Sequence, residues 1–404
     1  MKTKLLFVIP SLTSGGGERS LINLLSQIDY GVYDVDLFLI NPRGLFMEFI
    51  PPEVRVLPRP KSLERYMRHL PRAVAGLAAR GRFGLALRRI LFSLANRAAG
   101  NDSVKEQRAW RHLAPAFPEL AGSYDAAVGF LEKTSIYYCV EKVKARVKVG
   151  WIHNDYDELG MDPELDRPYF ERLQHLVTVS EECASKLEQR FPEKSGRIHI
   201  LYNIVSPRAI RRLAGQPLPD ADVTGFQGRK GEAVRLLSIG RLHPQKAFEL
   251  AIEACRLLRD RGYEIHWDVI GEGEERNALT AQIEACGLQD RFRLLGLRSN
   301  PYPYIQAADI YVQTSRFEGK SIAIDEAKIL NKPIVVTDFS TAVDQIANET
   351  DGLIVGMNPE AVAAGIARLI DDPALRERLS ANLAGQDLGT ENEIYKFYNL
   401  LASR

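Results

Sequence analysis

The chain has 404 residues, 45% of them hydrophobic, enough to bury substantial cores in two domains. A formal net charge of +1 excludes the global field of a nucleic-acid binder, and no stretch reaches the apolar length of a spanning helix. Cys139, Cys183, Cys255 and Cys286 are scattered without C-x-x-C spacing, which argues against a disulfide framework or zinc site and for a reducing cytosol.

Lys2–Pro10 imitates the start of a signal peptide. Its apolar part, Leu5–Ile9, is too short and runs into Pro10 and a glycine loop, so it reads as a first buried strand. Ser14–Gly17 reads as a loop and Glu18–Ile28 as a helix, with Leu21, Leu24 and Leu25 on one face. Val35–Ile40 and Val54–Leu57 are the next strands. Residues 62–112 have helical character, with Leu, Ile, Phe and Ala interleaved among arginines. From Arg55 to Arg111 there are fourteen Lys or Arg against three acids, so one surface of the first half is strongly basic. Three uses are open: a solvated Arg-rich face, a seat on an anionic membrane leaflet, or a grip on the diphosphate of a lipid-linked acceptor. Nucleic acid is not expected, because no binding module or aromatic stacking run accompanies the charge.

Asp125–Phe130, Val147–His153 and Leu176–Ser180 continue the strands, and Arg197–Asn203 closes this half. From Pro207 to about Gly231 prolines and glycines without apolar periodicity mark a linker. A second series follows, with strands at Val234–Ile239, Ile265–Ile270, Phe292–Leu295, Ile310–Gln313, Ile334–Thr337 and Leu353–Val355. Helices fall between them, notably Glu249–Arg259 and Glu275–Cys286. Such alternation predicts βαβ units and parallel sheets, hence an α/β fold of two Rossmann-like domains facing a central cleft. The expected boundaries are 1–206 with a basic helical insert at 62–112, a linker at 207–231, a second domain at 232–385 and a terminal helical segment at 386–404.

Candidate chemistry gathers where strands end. Glu318 and Glu326 stand with seven residues between them, with Gly319 breaking the chain and Ser321 placed to cap a helix running to about Leu330. A helix start offers free N–H groups and partial positive charge to a phosphate, and a carboxylate suits sugar hydroxyls. Two solvated acids on an ordinary strand–loop–helix unit are the plainer alternative. In Ser238–Lys246, an Arg and a Lys follow a strand and can neutralise a diphosphate from two directions. Gly15-x-Gly17-x-x-Ser20 nearly matches a dinucleotide fingerprint, which makes a nicotinamide dehydrogenase a competitor. Five residues, Pro10 to Ser14, separate it from its strand, however, and misplace the phosphate grip. His153 ends a strand at a domain edge, and Gly271-Glu272-Gly273 forms another strand–glycine–helix turn. Asp155-Tyr156-Asp157 could in principle hold a metal, yet it lies in the first half, away from the phosphate grip.

Taken in order, Gly15–Arg19, His153, Gly240-Arg241 with Lys246, Gly271–Gly273 and the Glu318–Glu326 pair resemble the retaining family 4 glycosyltransferases of GT-B architecture and their E-x7-E signature. The resemblance covers most of the chain. It implies a last helix crossing back to the first domain, a UDP- or GDP-sugar donor, and transfer with retention to a glycan or lipid-linked acceptor in envelope polysaccharide synthesis. It implies no cofactor and no metal. Arg241 and Lys246 would hold the donor pyrophosphate, with Gly319, Lys320, Ser321 and Ile322 at the helix start and Gly16 and Gly17 facing the phosphate. Gly271 and Leu297 would lie beside the nucleotide, and Glu326 would hold the ribose. The resemblance assigns catalysis to His153, near the reacting sugar carbon, and to Glu318, on the sugar hydroxyls. Ala247 stands where relatives often carry Gly, and Lys320 where many carry an aromatic or small residue. A nucleotide-sugar 2-epimerase of the same architecture and a non-catalytic nucleotide-binding protein are the alternatives. The expected setting is cytoplasmic, with peripheral attachment to the inner face of the plasma membrane left open.

Overall fold

The computed structural model describes residues 2–13, 15–218 and 233–402. The chain divides into two compact units, each organised on one all-parallel sheet. One unit holds the first strand and Gly17–Tyr202, and takes back the last helix, Glu393–Ala402. The other is built from Asn203–Asn392.

The first sheet comprises β1 (Thr3–Ile9), β2 (Tyr33–Leu39), β3 (Arg55–Val56), β4 (Tyr124–Phe130), β5 (Ala145–Trp151), β6 (His175–Thr178) and β7 (Ile198–Ile200), in the order β3-β2-β1-β4-β5-β6-β7. Leu5 to Ile9 are wholly buried, as expected for a central parallel strand covered on both faces. The chain order reverses between β1 and β4, which opens a crevice at their carboxyl ends. In the last helix, Phe397 packs 5.9 Å from Phe7 and 6.0 Å from Trp151, ring centre to ring centre. The Tyr398 hydroxyl accepts from the Asp29 amide at 2.8 Å and its ring stacks on Tyr33. The last helix is therefore a structural part of the first unit, as expected.

The basic insert is four helices, Lys61–Tyr66, Leu70–Ala78, Phe83–Arg97 and Asp102–Leu113. They pack through Leu63, Tyr66, Leu77, Ala86, Trp110 and Leu113 onto a cluster that includes Phe38 and Tyr138.

The second sheet comprises β8 (Val234–Ile239), β9 (Ile265–Ile270), β10 (Phe292–Gly296), β11 (Ile310–Gln313), β12 (Ile334–Thr337) and β13 (Leu353–Val355), in the order β10-β9-β8-β11-β12-β13. The two-residue period of its strands divides the core. Leu236, Val312 and Val335 join the cluster on one face, while Leu237, Tyr311 and Val336 join the other. Here the reversal lies between β8 and β11, the point at which open parallel sheets bind ligands.

Three local expectations are revised. The first helix begins at Gly16 rather than Glu18, so two of the glycines lie inside it. The segment expected as a linker from Pro207 begins instead with a helix, Pro207–Ala214, which buries Ile210 and Ala214 in the second unit. Ile210, Leu213 and Ala214 have helical spacing, but eight residues amid prolines give a faint periodic signal. Residues 219–231 of that expected linker lie outside the described residues. The return to the first unit begins at Glu393 rather than 386, since Thr390 still bonds to Val205 and Asn203. Among the described residues no helix is long and apolar enough to cross a membrane.

Candidate functional site

At the β8–β11 crevice two loops meet. After β8 the chain turns through Gly240 and Arg241 to a single 3-10 turn, Pro244–Lys246, and Ala247 adopts φ 49°, a left-handed conformation. That angle explains why glycine suits the position after the lysine, and it sharpens the bend that starts the helix Phe248–Asp260. After β11 the chain continues through Thr314 to Gly319 and enters the helix Ile322–Ile329. The loops are joined directly. The Thr314 hydroxyl donates to Lys246 O at 2.9 Å, the Arg316 amide to Gln245 O at 2.8 Å, and Gln245 Nε2 to Phe317 O at 2.9 Å.

Between these loops Lys246 Nζ lies 2.6 Å from Glu318 Oε1, both side chains largely shielded. The same oxygen accepts from Ser315 Oγ at 2.6 Å and Gln313 Nε2 at 3.0 Å. Three donors converge on Oε1, and Oε2 has no partner among the described residues. The arrangement fixes a carboxylate with one occupied and one open oxygen. Among the described residues Lys246 makes this one ion pair, which leaves ammonium protons for a second anion. Arg241 is exposed and forms no ion pair among the described residues.

Gln313 holds the network together, a role that its place in the sequence did not announce. Its Oε1 accepts from Ser321 Oγ at 3.0 Å and from the buried Tyr311 hydroxyl at 3.1 Å. Burial, with the charges of Glu326 and Glu318 beyond it, drives the Tyr311 phenol well above its usual range and keeps it a donor. A signal was present: polar Gln313 ends an otherwise apolar strand and is directly followed by polar Thr314 and Ser315.

Ser321 occupies the N-cap position, but its hydroxyl turns to Gln313 and caps nothing. Its amide is also taken, by Gln345 Oε1 at 2.7 Å. The open donors at this helix start are the Ile322 and Ala323 amides, which meet no acceptor among the described residues. The Ile322 side chain is buried in the core, so only its backbone can serve a ligand. Glu326 is buried, and its Oε1 accepts from the Tyr302 hydroxyl at 2.9 Å. Lys320 is half-buried, and its carbonyl takes Asn203 Nδ2 at 3.2 Å. Burial raises the Asp325 carboxyl above its usual range, against the opposing pull of Lys320 and Gln345.

The glycines after β9 serve close approach. A Cβ at Gly271 would lie 1.8 Å from Gly240 O, and one at Gly273 would lie 2.1 Å from Leu242 O. The β9 loop therefore lies directly on the loop that carries Arg241. Leu297, just beyond β10, leaves its side chain 38% exposed, an apolar surface on the same side of the sheet.

The first unit holds its own group at the β1–β4 crevice. A Cβ at Gly17 would be 2.4 Å from Leu131 Cδ2 and 3.7 Å from His153 Cγ, whereas Gly16 is unhindered. Leu131 and Lys133 sit at φ 82° and 64°, strained conformations for such side chains. Between them Glu132 Oε1 receives the His153 amide at 2.6 Å and the Asn154 amide at 2.8 Å. The His153 ring lies parallel to Trp151 and 4.5 Å from Phe130. Burial alone pushes its pKa down to about 3, so the imidazole is neutral at physiological pH. Its Nε2 is buried with no hydrogen-bond partner among the described residues. An orphaned nitrogen of that kind is costly unless a ligand completes it. Asp155 and Asp157 are each taken by a cation, Lys186 at 2.9 Å and Arg190 at 2.8 Å, and tie a helix down rather than opening toward a metal.

Residues 224–385 match the family model described as glycosyl transferases group 1. Among curated proteins, an alpha-D-kanosaminyltransferase of Streptomyces kanamyceticus is 32% identical over 182 residues, 43% of this chain and 47% of that protein. The lipopolysaccharide core biosynthesis glycosyltransferase LpsD of Rhizobium meliloti is 28% identical over 214 residues, 53% and 58% of the two chains. The chain thus spans about half the length of the curated relatives it matches. Among solved structures, Anabaena Alr3699/HepE in complex with UDP-glucose superposes with TM-score 0.71 at 17% identity, covering 99% of this chain and all of that one. Staphylococcus aureus TarM in complex with UDP and other ligands gives TM-score 0.68 at 14% identity over 100% of both chains. Over residues 224–385 the chain thus resembles the group 1 glycosyltransferases, and its fold is GT-B.

Proposed function

We propose that the protein is a retaining glycosyltransferase. It takes a hexose from a UDP- or GDP-sugar and passes it to a glycan or lipid-linked acceptor in cell-envelope polysaccharide assembly. The observation that carries this reading is the Lys246–Glu318 pair at the β8–β11 crevice, with an exposed Arg241, unpaired among the described residues, on the same loop as Lys246. Arg241, Lys246 and the amides of Ile322 and Ala323 receive the donor diphosphate. Glu318 accepts sugar hydroxyls on Oε2, and Glu326 is assigned to the ribose. As the glycosidic bond breaks, charge grows on the leaving phosphate, and fixed cations in a shielded site stabilise it more than the ground state. His153 is assigned to the sugar as a neutral donor or acceptor. The leaving group needs no metal in this scheme. The curated relatives are named as glycosyltransferases, two of the solved neighbours are described with UDP or UDP-glucose, and LpsD is named for lipopolysaccharide core synthesis.

The test is a screen of UDP, GDP and their sugars for thermal stabilisation, followed by turnover with candidate acceptors in the presence and absence of EDTA. Stabilisation by one nucleotide and acceptor-dependent, EDTA-insensitive release of it, with the anomeric configuration kept, are expected. Donor conversion without acceptor would replace the transferase by an epimerase, and binding without turnover of any donor by a non-catalytic role. Loss of turnover in EDTA, restored by a divalent cation, would overturn the metal-free scheme.

A further inference from the structure

We propose that the outward face of the Phe83–Arg97 helix is a docking surface for an anionic lipid bilayer, on which the protein lies without crossing it. This helix is apolar on two sides, and the protein covers only one of them. Leu85, Ala86 and Phe92 pack into the first unit. On the other side Phe83, Leu87 and Leu94 are 69%, 57% and 58% exposed, and Ile90 and Leu91 lie between them. Their spacing, i, i+4, i+7, i+8 and i+11, forms one continuous stripe along the helix. A soluble surface scatters such side chains singly, and five in a row on one face call for a partner.

Charge selects that partner. Residues 65–101 contain eight arginines and no Asp or Glu. Arg72, Arg80, Arg82, Arg88 and Arg97 are exposed, and none forms an ion pair among the described residues. A second copy of this chain would bring the same positive charge against the stripe, which disfavours self-association. An anionic leaflet meets both needs, since its headgroups take arginine and its acyl boundary takes leucine and phenylalanine. With fifteen residues, the helix is too short to span a bilayer and suits a position in its plane. Such docking is independent of the enzymatic activity, and its test measures binding rather than turnover.

The experiment is co-sedimentation of the full chain with phosphatidylcholine vesicles, alone or with roughly 30 mol% phosphatidylglycerol. The protein should pellet with the anionic vesicles and stay in solution with the neutral ones. Leu87→Asn with Leu94→Asn, at exposed sites that should leave the melting temperature unchanged, should weaken binding about tenfold or more. A Phe83→Trp variant should shift its emission to the blue on anionic vesicles, against a constant background, because Trp110, Trp151 and Trp267 are buried. Absence of vesicle binding would overturn the proposal. So would binding that survives the Asn pair unchanged with no shift at position 83, which would leave the arginines alone responsible. A vesicle-free dimer that the Asn pair dissociates would assign the stripe to a second copy.

Discussion

The Lys246–Glu318 pair permits a test that separates a functional charge from a structural one. Lys246→Met keeps the apolar stem and removes the ammonium 2.6 Å from Glu318 Oε1. The carboxylate left behind is shielded but keeps two donors, Gln313 Nε2 and Ser315 Oγ. Breaking a fully buried pair costs 3–5 kcal/mol as a rule, and the remaining donors with partial exposure reduce that here to about 2 kcal/mol. For a domain of this size that is a fall of about 4–8 °C in the transition of the C-terminal unit. Adding Glu318→Gln removes the stranded charge and should restore about half of the lost stability or more. Turnover should behave differently. If Lys246 stabilises the leaving diphosphate, kcat should drop roughly a hundredfold or more in the single variant and remain low in the double one. Calorimetry of parent, both single variants and the double variant, with kcat and KM for each, completes the cycle. Recovery of turnover together with stability in the double variant would refute the assignment, since Lys246 would then merely neutralise Glu318.

Other outcomes follow from the same geometry. Gly271→Ala places a Cβ 1.8 Å from Gly240 O and must part the ends of β8 and β9, so unfolding by denaturant should show a loss of about 3 kcal/mol; an unchanged midpoint would refute the close packing of these loops. Gly240→Ala presses only on the stem of Lys246, whose Cε would lie 2.9 Å away, and should lower kcat roughly tenfold with little loss of stability. Gln313→Met removes the side chain that orients both Glu318 and Ser321, and should reduce kcat while the Glu318→Gln substitution made on top of it adds little. An acid titration tests the state of His153. The native imidazole takes its proton near pH 3 and an unfolded one near 6.5, so the unfolded chain binds the extra proton in that window. Stability should therefore fall as pH drops from about 6.5 toward 3, by up to about 1.4 kcal/mol per unit. His175, pushed down to about 4 mainly by burial, acts in the same direction. Asp166, raised to about 6 by burial, acts in the opposite one, because the folded chain keeps a proton that the unfolded chain releases. Comparison with His153→Phe cancels both, and equal slopes for the two proteins would show that His153 is not held neutral.

The sequence carried the strand–helix alternation because buried parallel strands are apolar runs and their crossover helices are amphipathic, both local patterns. Leu5–Ile9, Ile310–Gln313 and Ile334–Thr337 illustrate it: each was marked as a strand within two residues of its observed ends. The Pro207–Ala214 helix escaped because its stability comes from what Ile210 and Ala214 pack against rather than from its own periodicity.

The motif residues were equally visible, yet their chemistry was not. Spacing alone put Glu318 in a loop and Glu326 in a helix. It could not reveal that one Glu318 oxygen is claimed by Lys246, Gln313 and Ser315, or that the amide and hydroxyl of Ser321 serve Gln345 and Gln313. Lys246 and Glu318 are 72 residues apart, and only the pairing of β8 with β11 brings them within 2.6 Å. The same holds for the Phe83–Arg97 helix. Its composition announced charge and apolarity together, but which apolar side the protein would cover depended on the Phe38–Tyr138 cluster it packs against. Periodicity is written in neighbours along the chain, whereas a hydrogen-bonded site or a bare face exists only once distant segments have met.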